Sequence, residues 1–398
     1  MQLQLDILVR ELLKSCRCLQ GAGIAFMGPE LYASEVSPPH VRGLTATWGE
    51  LFINIGILIG YISGWVLQPK WRMMVGLGAL IPFLSFILQI FIPETPRWLM
   101  QQGRKEAAIA ALEKTACYSE EQIGLQIEEI NEMILAEQSG DQSALHELTC
   151  PKMAVVHAML VGFGVSFFQQ ANGSEGVVYF TPTVLSLGGI KEGNAMYAIT
   201  AAVGTCKAFF VAIALSTMDQ VGRVKLLVFS SIGVSIALGL LAYAFTLSEP
   251  SVALAVLGLC GFMASFSVGW GPLSGVILAE VFPLRIRGSA VGIGWGINRF
   301  VSGTVALAFL PMNSSMGVDG TFFLFFGISL LALLFAYYVV PETKGLSLEA
   351  IAHIFEARAM NGIVLKQPHN AQTMQHQELP TSLRERHLAE NRRTQSSQ

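Results

Sequence analysis

The polar residues able to do chemistry are few, and most stand where polarity is costly. Gln169 and Gln170, then Asn172, interrupt an apolar run that continues through Gly173, Glu175, Gly176, Tyr179 and Phe180. An amide both donates and accepts, which suits a ligand whose every hydroxyl needs a partner once its water is gone. Hydrogen bonding between packed helices would use the same side chains. Lys207 stands mid-run between Cys206 and Ala208, where a lysine costs about 2.5–3.5 kcal/mol on insertion scales. It therefore faces a cavity, snorkels to an interface, or pairs with an acid such as Glu175 or Glu50. Arg299, beside Asn298, poses the same problem in a later run. Glu50 opens another run, a place where an acid near a helix N-terminus is also expected, and Asn54 follows one turn on. No nucleophile–base constellation appears, so nothing supports an enzyme, and no cofactor is implied.

A second set of charges lies in the turns. Glu280-Val281-Phe282-Pro283-Leu284-Arg285-Ile286-Arg287-Gly288 repeats the pattern of Glu35-Val36-Ser37-Pro38-Pro39-His40-Val41-Arg42-Gly43. Pro341-Glu342-Thr343-Lys344 repeats Pro93-Glu94-Thr95-Pro96-Arg97, and the two offsets, 245 and 248 residues, nearly agree. Two related halves of one protein produce such a repeat. Glutamates that end helices and arginines that start the next ones suit ion pairs made and broken between halves. A partly exposed pair worth about 1 kcal/mol or less can do that. The same arginines would equally serve to fix topology.

The medium around these residues follows from composition. Of 398 residues 52% are hydrophobic and 13% charged, with mean hydropathy +0.52; soluble domains carry about 25% charge. Too much of the chain is apolar for a soluble core, and the 39 glycines suit close helix approach in lipid. A net charge of −3 gives no reason to expect a nucleic-acid partner. The six cysteines show neither disulfide framework nor metal-ligand spacing. The charged first fifteen residues lack the apolar core of a secretory signal.

Nine runs approach the roughly 20 residues a bilayer requires: 18–35, 44–66, 73–93, 153–172 extended by 176–188, 195–217, 225–247, 252–279, 289–311 and 320–340. Basic residues concentrate in alternate turns, which places those turns and the C-terminal tail in the cytoplasm. The expected organisation is an irregular segment 1–17, three spans in 18–93, a cytoplasmic helical connection 94–152, a six-helix bundle 153–340, and a tail 341–398, largely disordered after about 357. In the connection, Gly103 to Lys114 and Glu120 to Leu135 have helical apolar spacing. The repeat leaves three second-half spans without first-half mates: either the halves are unequal by nature or the chain lacks its first three of twelve spans, and the poorly patterned first fifteen residues favour the second.

These motifs together, in this order, are similar to the sugar-porter branch of the major facilitator superfamily. The resemblance runs from about residue 17 to 355. It is carried by Gly28-Pro29-Glu30-Leu31-Tyr32-Ala33-Ser34-Glu35 leading to Arg42-Gly43, Pro93 to Leu99, Gln169-Gln170, Asp219-Gln220-Val221-Gly222-Arg223, Gly271-Pro272, Glu280 to Pro283, and Pro341 to Gly345. Glu50 to Asn54, Gly56 to Tyr61, Lys207 and Asn298-Arg299 with Ser302-Gly303 look most like plant-type polyol and monosaccharide transporters. The resemblance implies an all-α membrane protein of two six-helix bundles, about nine of whose twelve spans are present here. It implies alternating-access symport of a monosaccharide or polyol with protons, in the plasma membrane or alternatively a vacuolar or other internal one. It adds Glu94, Arg97, Asp219, Arg223 and Glu342 to a gating network with Glu35, Arg42, Glu280, Arg285 and Arg287. It brings Glu50 and Asn54 to the substrate cavity with Gln169, Gln170, Asn172, Glu175, Tyr179, Lys207, Asn298 and Arg299, and matches Arg17 to a proton-coupling arginine. Two departures stand out: Glu175 where the pattern has Asn or Asp, and Gly275 where it has Trp. The alternative is a truncated relative that regulates or binds sugar without transporting it.

Overall fold

The computed structural model describes residues 42–67, 70–115, 151–190, 193–247 and 251–344, together with Tyr32, scattered positions between 123 and 134, and 351, 354 and 355; the side chains of 42–48, Thr115, Met218, Asp219, Leu284 and Arg285 lie outside this description. Apart from Tyr32, the run expected at 18–35 lies outside it, as does the tail beyond 357. The order is α1 (Arg42–Val66), α2 (Trp71–Gln89), α3 (Pro96–Gln101), α4 (Lys105–Thr115), α5 (Met153–Ala171) and α6 (Ser174–Leu187). It continues with α7 (Asn194–Val221), α8 (Arg223–Thr246), α9 (Val252–Val268), α10 (Trp270–Glu280) and α11 (Leu284–Tyr338). Helix satisfies its own backbone hydrogen bonds, the requirement an apolar medium imposes. Among the described residues, seven helical stretches are long and apolar enough to cross a bilayer.

The expected runs that lie within the described residues fall on these helices, and the differences lie at breaks. The run at 252–279 divides into α9 and α10 at Gly269 (φ −130°, ψ −76°). The run at 153–188 divides into α5 and α6 at Gly173, whose φ of +88° is open to glycine at little cost. Conversely, 289–311 and 320–340 appear as one 55-residue helix, α11. At 1.5 Å per residue it would measure roughly 80 Å, more than twice a hydrocarbon layer of about 30 Å. Gly317, at φ +82° and ψ 164°, interrupts it and separates the two spans.

Packing is densest where α8 meets α9 and α11, where α5 meets α11 and where α7 meets α1 and α9; α10 packs on α5 and α1. Trp270, Phe262, Phe282, Phe309, Phe322 and Phe355 are the largest fully buried side chains among the described residues. Trp270 is fixed on α8: its Nε1 donates to Ser231 Oγ at 2.9 Å and its backbone N to Ser230 Oγ at 3.3 Å. Ile351 and Phe355 join the same core. Separately, Leu99 of α3 packs with Ala108, Ala111 and Leu112 of α4 and with Ile123 and Ile127. Thr95 opens α3 by accepting from Trp98 N, with Pro96 in the first turn. The helix expected from Gly103 starts at Lys105 because Gly103 (φ +73°) forms the turn before it.

Gly269 tolerates no side chain, since a Cβ there would lie 2.4 Å from Ser230 Cβ and 2.8 Å from Leu226 O. Gly269→Ala is expected to lower stability by about 1–3 kcal/mol through overpacking. Gly327→Ala, with nothing within 4 Å, is expected to be neutral or to stabilise by up to about 1 kcal/mol. Thermal unfolding of the detergent-solubilised protein compares the two.

Candidate functional site

The buried amides come together around Asn298. Its Nδ2 donates to Ser166 O at 3.0 Å and to Gln169 Oε1, while its Oδ1 accepts from Gln170 Nε2 at 3.3 Å and from the Arg299 guanidinium. Gln169 Nε2 donates to Gly271 O at 3.0 Å. Ser174 Oγ donates to Gln170 Oε1 at 2.8 Å, and Ser174 N to Asn172 Oδ1 at 3.2 Å. One polar network thus joins the end of α5, the start of α6, the start of α10 and the first span of α11. Helix-to-helix bonding, one of the two expectations for these amides, is what the structure contains. Capacity for a ligand remains, because Asn172 is fully buried and its Nδ2 has no partner among the described residues.

A second polar group meets the first at Gly271. Asn54 of α1 donates to Glu50 Oε1 at 3.1 Å and to Glu50 O at 2.6 Å. A Cβ on Gly271 would lie 3.3 Å from that same Glu50 Oε1. Asn54 is 1% exposed, and its Oδ1 has no partner among the described residues. Lys207 of α7 is 6% exposed, so snorkelling does not describe it. Its Nζ lies 5.9 Å from the centroid of the Phe266 ring. The cluster therefore offers hydroxyl-bearing ligands one spare donor at Asn172 and one spare acceptor at Asn54, with the buried Lys207 amine beside the Phe266 ring.

Three residues of this region carry no obvious signal in the sequence. Trp295 Cζ2 would be 3.3 Å from a Cβ on Gly275, so its ring fills space that glycine leaves, and the Arg299 guanidinium lies 5.9 Å from the ring centroid. Trp270, adjacent to Gly271, is buried against α8 instead. Ser174 looks like a loop serine, yet it links Gln170 to the backbone of Gln169. Tyr61 spans α1 and α6 through its hydroxyl. Tyr179, expected at the site, is 57% exposed and outside the network just described.

The charged turns form a clamp at the starts and ends of α8 and α10. Arg223 Nη2 lies 3.3 Å from Glu280 Oε1, and Thr343 Oγ1 donates to Glu280 Oε2 at 2.6 Å. Glu342 accepts from Arg223 N at 2.8 Å and from Val224 N at 3.2 Å, capping α8 with a full negative charge. Gly222 (φ +104°) is required there, because a Cβ would lie 2.9 Å from Glu342 Oε2. Lys344 Nζ donates to Gln220 O. Arg287 donates through Nε and Nη2 to Phe282 O at 3.1 and 3.0 Å, closing the turn between α10 and α11. Glu94 is exposed and Arg97 half-buried. Arg17 and Glu35, and the side chains of Arg42, Asp219 and Arg285, lie outside the described residues. Among the described residues no three His, Cys, Asp or Glu gather as a metal would need.

Residues 11–355 match the family model described as Sugar (and other) transporter. The chain is 38% identical over 349 residues to "Probable polyol transporter 4" of Arabidopsis thaliana, covering 84% of this chain and 65% of that protein. It is 34% identical over 361 residues to "Polyol transporter 5" of the same plant, covering 84% and 67%. It thus spans about two thirds of the length of these relatives. A solved structure of the proton:xylose symporter XylE bound to 6-bromo-6-deoxy-D-glucose superposes with a TM-score of 0.67 at 26% identity, covering 82% of this chain and 70% of that one. A partially occluded inward-open form of XylE from E. coli gives 0.65 at 27%, covering 80% and 68%.

The α8 cap generates a test. Glu342→Ala leaves the N–H groups of Arg223 and Val224 without their acceptor and is expected to cost roughly 1–2 kcal/mol, as loss of a helix cap does. Glu342→Gln, which keeps one acceptor oxygen, should cost less. Thermal unfolding in detergent orders the three proteins.

Proposed function

The chain belongs to the sugar transporter family of the major facilitator superfamily, and from that premise we propose that it moves a monosaccharide or linear polyol across a membrane by alternating access, coupled to protons. The single observation that carries this reading is the buried amide network around Asn298, with unmet hydrogen-bonding capacity at Asn172 Nδ2 and Asn54 Oδ1. A polyol hydroxyl donates and accepts at once, so one ligand class satisfies both atoms and can exchange with the amide–amide bonds. Gln169, Gln170, Asn172 and Asn298 are the hydroxyl-binding groups, and Glu50, Asn54, Glu175 and Lys207 form the charged wall beside them. Tyr179 and Arg299 complete the set at its edge, with Trp295 as the apolar surface for a carbon face. Names among the relatives support a polyol, and the name of XylE supports proton coupling.

Glu280, Arg223, Glu342 and Arg287 serve as the half of the gate that holds α8, α10 and α11 together. Glu35, Arg42, Glu94, Arg97, Asp219 and Arg285 belong to its moving contacts, and Arg17 to proton coupling. The bonds at Glu280 are partly exposed, 12% and 24% for the Arg223–Glu280 side chains, which keeps their strength within what a repeated cycle can break. Plasma membrane is the proposed location, and fluorescence imaging of the tagged protein distinguishes it from a vacuolar one.

Uptake of labelled sorbitol, inositol, xylose and glucose by transport-deficient cells, at two pH values and with a protonophore, tests the proposal. The expected result is saturable uptake of at least one of these that rises at lower external pH and collapses with the protonophore. Asn298→Ala unpairs Gln169 and Gln170 together and is expected to weaken apparent affinity about tenfold or more, one unsatisfied buried polar group costing about 1–3 kcal/mol. Correct membrane insertion without uptake of any of them would remove the transport reading for this chain.

A further inference from the structure

α6 contains a proline, Pro182, and bends at Phe180 (φ −105°, ψ 15°). Proline has no N–H, so the carbonyl four residues earlier, that of Val178, receives no bond from its own helix. The missing donor comes from elsewhere in the chain: the Tyr61 hydroxyl of α1 donates to Val178 O at 2.6 Å. Gly204 of α7 makes the approach possible, since a Cβ there would lie 2.6 Å from Tyr61 Cδ2. Thr181, which also faces the Tyr61 hydroxyl, has its own hydroxyl on Val177 O. Val178 and Thr181 are buried.

The position of this bond gives it a consequence. α1 precedes the charged connection at 94–152, whereas α6 and α7 follow it. Tyr61 therefore joins the two parts of the chain that alternating access must separate. It lies far along α1 from Arg42, roughly 28 Å at 1.5 Å per residue, at the end away from the arginine-rich turns. The bent segment of α6 lies just past the amides Gln170 and Asn172, so moving it changes access to them.

We propose that Tyr61 is a gating residue: its hydroxyl, bound to the Val178 carbonyl that Pro182 leaves without a helical donor, latches the bent half of α6 against α1 and closes one entrance to the amide network. A neutral hydrogen bond is suited to this work, because its net strength permits opening on every cycle. As gating the latch rests on the transport reading; as a bond it does not.

Hydrogen–deuterium exchange of the full-length protein in nanodiscs tests the two separately. Tyr61→Phe keeps the ring and removes only the donor, and amides of Thr183–Leu187 are expected to exchange about three- to tenfold faster, with α8 unchanged. Pro182→Ala restores an N–H at position 182 that can serve Val178 O, so Tyr61→Phe in that background should add less than about twofold. If Pro182→Ala does not insert, Gly204→Val, which drives the ring off Val178, must reproduce the Tyr61→Phe pattern. Unchanged exchange in Tyr61→Phe, an equal effect with and without Pro182, or a Gly204→Val protein lacking the pattern each overturns the latch. Absence of polyol uptake by the wild-type chain bears on transport alone, since the exchange result judges the latch either way.

Discussion

A helix broken inside an apolar layer must have its freed backbone groups satisfied by another part of the chain, and the site depends on that constraint. Three breaks make the point. At Gly269 the helix stops and restarts, and Ser230 Oγ serves both sides of the break, accepting from Trp270 N and donating to Ser265 O. At Gly173 the restart is held by Ser174, whose N donates to Asn172 Oδ1 and whose Oγ donates to Gln170 Oε1. At Pro182 the orphaned Val178 O is taken by Tyr61. Each repair brings a polar side chain to the interior, and the amide network bonds residues next to the first two breaks, Gln169 to Gly271 O and Gln170 to Ser174. An unpaired buried amide costs more than a paired one gains, so these breaks also fix where α5, α6, α10 and α11 meet.

The same reasoning separates two kinds of polar residue. Asn298 has every donor and acceptor engaged and acts as the joint between helices. Asn172 Nδ2 and Asn54 Oδ1 are buried without partners, a state that native structures rarely keep without a reason. A ligand rich in hydroxyls gives that reason. Lys207, buried beside the Phe266 ring, adds a further polar group to the same region. The turn residues behave differently. Glu342 and Glu280 act on helix ends, where a carboxylate meets backbone N–H groups or an arginine at partial exposure.

Much of this was legible in the sequence, for physical reasons. Spans were readable because a bilayer demands about twenty apolar residues, and Gln169, Gln170, Lys207 and Asn298 were conspicuous because polarity inside a span is costly. Partnerships were not readable. That Gln169 serves a backbone carbonyl of α10, or that Trp295 fills the space beside Gly275, depends on packing that residue order does not encode locally. The tyrosine opposite Pro182 was hidden for the same reason, since its partner lies 117 residues away. The turn arginines read as one gating set, but residue order does not say which acceptor each reaches: Arg287 reaches the carbonyl of Phe282 and Arg223 reaches Glu280. Side-chain geometry, not charge pattern, makes that distinction.

The central claim is that a polyhydroxylated ligand completes the hydrogen bonding of this network. An experimental structure of the protein with a bound polyol tests it directly. The account predicts ligand oxygens within hydrogen-bonding distance of Asn172 Nδ2 and Asn54 Oδ1, with at least one of the Gln169, Gln170 and Asn298 amide bonds exchanged for a bond to the ligand. A polyol bound elsewhere, with those two atoms still unpartnered and the amides bonded as they are here, would contradict it.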